Sequence, residues 1–180
     1  MKWQIDPSHT SIGAKVKHMM VSTVRGSFAG ATGTIDFDPA SPETGSVVLR
    51  IPAASIDTGD EKRDGHLRSA DFLDAERYPE IVFVSTTVKT SAKDRFVVEG
   101  DLTIRGITKP ATVNVELAGI TADPRAGQRA AFDATASFDR TQWGLTWNMP
   151  IPSGVLVSEK ITLEANVAAT PVAVAVPVAA

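Results

Sequence analysis

Apolar and polar residues alternate with period two along most of the chain. From Ser11, the residues Ile12, Ala14, Val16 and His18 fall on one side and Lys15 and Lys17 on the other, which turns one face of an extended segment toward an apolar interior. The alternation returns in residues 24–28, 35–38, 47–51, 81–89, 96–104, 111–117, 130–138 and 157–167. Turn signals such as Ala92-Lys93-Asp94 and Ala122-Asp123-Pro124 separate these runs. The connections are too short for helical crossovers, so the strands pair antiparallel. The pattern predicts an all-β protein, an extended barrel of about eight antiparallel strands. Eight strands enclose an interior that side chains fill or that one small ligand occupies.

One stretch breaks the alternation. Thr58, followed by Glu61, has the form of a capping box, and predicts a helical turn over residues 60–66. Ser69 repeats the start signal, Leu67, Phe72 and Leu73 supply an apolar edge, and Pro79 holds Tyr78 extended before the next strand. The expectation is a short helical insert over about residues 58–77. Seven acidic and four basic residues between Asp60 and Glu80 are consistent with a solvated connection, and the apolar edge with a lid over the barrel mouth.

Phe96, Val98, Leu102 and Ile104 supply bulk to the interior. Ala134 and Ala136 alternate with Phe132 and Phe138, and Ala14, Gly100 and Gly119 fall on inward phases. Small inward residues leave volume for a ligand, but they also serve barrel taper, so periodicity leaves both fillings open.

Composition narrows the function classes. A length of 180 residues fits one domain, here 1–167, followed by an Ala/Val/Pro-rich tail, 168–180, that reads as loosely held. A net charge of -3 gives no general case for nucleic acid. Cysteine is absent, which excludes disulfides, thiol nucleophiles and Cys-based metal sites. No apolar run is long enough to be a transmembrane helix. The chain turns polar within its first residues and shows no signal-peptide core; if Met1 is the native start, the expected location is the cytoplasm.

Three histidines are the candidate acid–base groups: His9 beside a turn, His18 on an inward phase next to Met19 and Met20, and His66 on the insert. None stands at a metal-ligand spacing, and no metal is expected. Arg25, Arg105 and Arg140 sit at strand ends where a guanidinium meets an anion or a surface carboxylate. Asp71 and Asp74 form a carboxylate pair whose ordinary role is to complement a helix dipole. No nucleophile elbow, phosphate loop or metalloprotease motif occurs, so the sequence makes no positive case for an enzyme.

Five blocks, in order, resemble the YceI-like family of lipid- or polyisoprenoid-binding proteins. They are the run from Trp3 through Asp6-Pro7-Ser8-His9 to Met19; Val24-Arg25-Gly26-Ser27-Phe28; Ser55-Ile56-Asp57-Thr58-Gly59 with Arg63-Asp64-Gly65-His66-Leu67-Arg68-Ser69-Ala70-Asp71-Phe72 and Tyr78-Pro79-Glu80-Ile81-Val82-Phe83; Gly100-Asp101-Leu102-Thr103-Ile104-Arg105-Gly106 with Thr108-Lys109-Pro110; and Arg140-Thr141-Gln142-Trp143-Gly144. The resemblance implies a lipocalin-like barrel whose apolar pocket holds an isoprenoid or other long chain, in a carrier or binder rather than an enzyme. Many family members carry a secretion signal; the Pro/Val/Ala tail lies outside the family pattern.

On this reading the partner is a long-chain lipid of the polyprenyl phosphate or isoprenoid quinone type, with no other cofactor, and a homodimer is compatible with such a barrel. The chain would be lined by Ile12, Ala14, Val16, Phe37, Phe83, Phe96, Val98, Leu102, Phe132, Ala134, Ala136 and Phe138, with His18, Arg25, Arg140 and Trp143 around the head group. Two alternatives remain. One is a lipid-modifying enzyme with His18 as general base; the other is a filled barrel that serves as an interaction module.

Overall fold

The computed structural model of the protein describes residues 1–172. Its strands, in chain order, are β1 (Lys2–Ile5), β2 (Ser11–His18), β3 (Ser22–Phe28), β4 (Thr32–Asp36), β5 (Ser46–Pro52), β6 (Glu80–Ala92), β7 (Arg95–Ile104), β8 (Ile107–Asp123), β9 (Gly127–Asp139), β10 (Pro150–Ile151), β11 (Gly154–Val155) and β12 (Lys160–Pro171). One helix, α1 (Glu61–Arg68), lies between β5 and β6.

The barrel closes because β12 pairs with β9 on one side and with both β1 and β2 on the other. A 3-10 turn at Pro7–His9 interrupts β1 and β2, which occupy one position in the ring. The Asp6 carboxylate caps that turn by accepting the Ser8 N–H at 3.0 Å. β3 and β4 likewise share a position, pairing with β2 and β1 in turn. With β5, β6, β7, β8, β9 and β12 the ring has eight antiparallel positions. β1 escaped the periodicity reading because four residues carry only two inward positions; these are Trp3 and Ile5, each 2% exposed.

Closure also redraws the expected domain end. Ala168 and Ala169 are buried on β12, where Ala169 faces Ile5 across the seam, so residues 168–171 belong to the barrel and not to a tail. Residues 173–180 lie outside the described part.

At the end of the barrel near Met1, Phe37 meets Phe96 and Phe132 edge-on, with centroids 5.6 and 5.4 Å apart. Edge-to-face contacts of this kind add to the area that the rings bury. With Trp3, Ile35 and Val167 of the same core they fill this end as an aromatic plug.

The insert crosses the opposite end, but its cap is not the expected one. Gly59 adopts φ 79°, which turns the chain after Thr58 and moves the helix start to Asp60, whose Oδ1 accepts the Arg63 N–H at 2.9 Å. Thr58 is engaged instead by the buried Asp64, which accepts its N–H at 2.9 Å and its hydroxyl at 2.5 Å. Ser69 ends α1 and starts no second helix: its hydroxyl donates to the His66 carbonyl at 2.6 Å. Gly119, expected inward, is exposed, because a bulge between Leu117 and Gly119 shifts the phase of β8.

Candidate functional site

Inside the barrel, between the aromatic plug and the insert, is a cavity of about 620 Å³, a volume typical of small-molecule sites. Its wall follows from strand alternation, since inward positions of successive strands face one lumen. Ile12, Ala14 and Val16 of β2, Phe83 of β6, and Phe96, Val98 and Leu102 of β7 line it. Phe132, Ala134, Ala136 and Phe138 of β9 line it too, and Phe37 stands at its plugged end. Ala134 opposes Ala165 of β12 and Val115 of β8, and Ala136 opposes Leu163 and Val113, so the middle of this wall is built from small and medium side chains.

The four expected head-group residues separate. His18 is half-buried on the wall, held where β2 bridges to Val157. Arg25 is not on the wall; it falls between the inward Val24 and Gly26, and alternation sends it outward into solvent. Trp143 also departs from the expectation. It is 1% exposed and packed behind Phe138, with centroids 4.9 Å apart, and its indole N–H donates to the Leu102 carbonyl at 2.8 Å. Its polar handle closes the barrel end.

Arg140 reaches the wall, but its donors are committed. Nε donates to Ser158 O at 2.9 Å, Nη2 to Val157 O at 3.2 Å, and Nη1 to Trp147 O at 3.0 Å and to Leu145 O. Four of the five guanidinium N–H groups are thereby used. Burial pulls the Arg140 pKa below its ordinary value, while the charges of Glu159 and Asp139 act in the other direction. The side chain therefore ties the irregular segment 144–159 to the barrel.

The polar groups at the lid end were mostly not foreseen. Lys62, Arg63 and His66 of α1 enter the wall there with Trp147, Leu145 and Leu156. His66 Nε2 lies 2.9 Å from Asp71 Oδ2, so Asp71 pairs with His66 and not with Asp74 as its partner. The imidazole packs edge-on against Trp147 and Phe72, with centroids at 4.6 and 5.1 Å. Arg63 Nε donates to Thr58 Oγ1 at 2.7 Å, and Lys62 is exposed. Arg105, expected at a surface ion pair, instead donates to the carbonyls of Phe72 at 3.2 Å and Gly144 at 3.3 Å, binding the insert to segment 144–159. The result is an apolar lumen with cationic and aromatic groups gathered under one cap.

The domain model described as the YceI-like domain matches residues 3–169. The chain belongs to the YceI-like family. A UPF0312 protein of Vibrio cholerae is 39% identical over 138 residues, covering 77% of this chain and 73% of that protein. Among solved structures, Burkholderia cenocepacia BcnA superimposes with a TM-score of 0.82 at 26% identity, covering 92% of this chain and 99% of that one. A polyisoprenoid binding domain from Saccharophagus degradans shares the fold at a TM-score of 0.68 and 11% identity, covering 94% of this chain and 98% of that domain. The YceI-like barrel is thus shared architecture. Among the described residues no helix is long and apolar enough to cross a membrane.

Proposed function

We propose that the protein holds one long aliphatic chain of the isoprenoid type in its lumen and acts as a carrier or store. The observation that carries this reading is the cavity of about 620 Å³, apolar along its barrel wall and capped by Lys62, Arg63 and His66. An apolar chain gains about 0.8 kcal/mol per CH₂ removed from water, so ten such groups supply roughly 8 kcal/mol before association costs. A phosphate or quinone head group fits the lid end, where cations and imidazole stand within one wall. Similarity of fold to a domain named for polyisoprenoid binding supports the same ligand class. The reading is of a binder and not an enzyme, because polar side chains serve mainly to close the lid.

Calorimetric titration with a polyprenyl phosphate and with a quinone of equal chain length tests it. The expected result is one ligand per chain with a negative heat-capacity change, the mark of buried apolar surface. Absence of saturable binding to either compound contradicts the proposal.

A further inference from the structure

The hairpin joining β2 to β3 turns through Met19 and Met20, at φ 52° and 62°. Val21 N–H closes the turn on His18 O at 3.2 Å. Two successive positive φ angles, inside a three-residue loop between the paired His18 and Ser22, favour Asn and Gly because other side chains are strained there. The two-residue turn between the paired Ile104 and Ile107 also has two positive φ angles, at Arg105 and Gly106, and has a glycine at its second position. The tip at Met19 and Met20 has none. It instead exposes apolar side chains: Met19 is 45%, Met20 56% and Val21 81% exposed. Met149 and Val155, at 51% and 37%, stand on the adjoining β10–β11 hairpin.

The two hairpins are one rim. Met19 N–H donates to Leu156 O at 2.7 Å, Leu156 N–H to Met149 O at 2.9 Å, and Cγ of Met20 comes within 3.8 Å of a β-carbon built on Gly154. The rim is continuous with the cavity, because His18, Leu156 and Val157, its immediate neighbours in the chain, line the wall. Cations stand at the same end: Lys17, two residues before Met19, donates to Thr23 Oγ1, and Lys62 and Arg63 line the lid. Among the described residues none of these three pairs with a carboxylate. Exposed carboxylates share that end at Asp60 and Glu61, so Lys17 is the cation that adjoins the methionines most directly in the chain.

We propose that this rim docks on an anionic phospholipid bilayer, with Met19, Met20, Val21 and Met149 entering the interface, so that a chain passes from bilayer to lumen without crossing water. The partner follows from the two surfaces. Apolar side chains on a short rim gain from entering the acyl boundary, and neighbouring cations gain from anionic head groups. A strained, apolar turn exposed to water is retained where the site it serves requires it. This proposal rests on the lipid-binding reading of the cavity.

The test replaces the turn by one that folds better. The double variant Met19→Asn/Met20→Gly installs residues that tolerate the positive φ angles of this loop, so it should melt no lower than the parent. Flotation with phosphatidylcholine vesicles, with and without phosphatidylglycerol, should show the parent bound to the anionic vesicles and the variant weakened about tenfold or more. Uptake of a polyprenyl phosphate delivered from detergent should be the same in both. Equal flotation of parent and variant overturns the proposal, as does a parent that ignores anionic vesicles or binds neutral ones equally well. A dimer of the parent that the variant loses, without vesicle binding, overturns it in favour of a second copy on the rim. Vesicle binding lost in the variant with no lipid uptake by either protein supports the docking surface while contradicting the carrier reading.

Discussion

The Arg140 guanidinium lies over the Phe72 ring, 5.9 Å from its centroid, where the barrel wall meets the insert. Both residues are buried, at 2% and 7% exposure. With Arg105 donating to the Phe72 carbonyl, the C-terminal half of the insert is fastened to the barrel by two arginines. The half carrying Lys62 and Arg63 remains exposed. The lid therefore has an anchored side and a solvent side, and the cavity's cations lie on the latter.

Arg140→Lys should cost about 2–4 kcal/mol, because one ammonium cannot reach the four carbonyls that the guanidinium serves. Thermal melting should fall by roughly 5–10 °C. An unchanged melting temperature would show that segment 144–159 is held by other contacts.

Two glycine replacements should move stability in opposite directions. A β-carbon at Gly100 would sit 2.6 Å from Phe83 Cζ and 2.5 Å from Val84 O, so Gly100→Ala should destabilise by about 1–3 kcal/mol. At Gly65 in α1 nothing lies within 4 Å, and Gly65→Ala should stabilise by about 0.5–1 kcal/mol. Denaturant titrations of the two variants check the contrast.

Ala136→Phe should fill the mid-barrel lumen between Val113 and Leu163 and abolish uptake of long chains, with the far-ultraviolet dichroism of the parent retained. Undiminished uptake in the folded variant would place the ligand elsewhere.

Asp6 should contribute acid-sensitive stability. Its hydrogen bond from Arg129, at 2.7 Å, lowers its pKa from 3.8 to about 2, against burial and with help from His9 and Ser8. The folded pKa is depressed, so the contribution is complete above about pH 4 and disappears as pH falls toward 2. Asp6→Asn should cost about 1–2 kcal/mol at pH 7 after allowance for partial exposure. The gap between parent and variant should close toward pH 2; a gap independent of pH would show that charge is not its source.

Period two was enough to read the eight ring positions and the inward faces of β2, β7 and β9, because those strands are long and one face of each meets an apolar lumen. It could not reveal β1, whose pattern is two residues deep, or the seam at which Ala169 meets Ile5. Arg25 was misplaced because a strand end was weighed above its own phase. Trp143 was misplaced because an indole in a connecting segment has no phase to read, and its partner Leu102 is forty-one residues away. The lid's Lys62, Arg63 and Trp147 come together only through Arg105, Arg140 and the fold of segment 144–159, which has no periodicity. Whether the interior is filled was open for a similar reason: Gly100 is small and inward, yet Phe83 takes its space, while the alanines of β9 leave theirs empty.

The most direct measurement is organic-solvent extraction of the purified protein followed by mass spectrometry, with a denatured and refolded sample as control. A long-chain isoprenoid lipid recovered near one per protein chain, and absent from the refolded control, is the predicted result. An extract without lipid, together with no uptake of added polyprenyl phosphate or quinone, would contradict the carrier account.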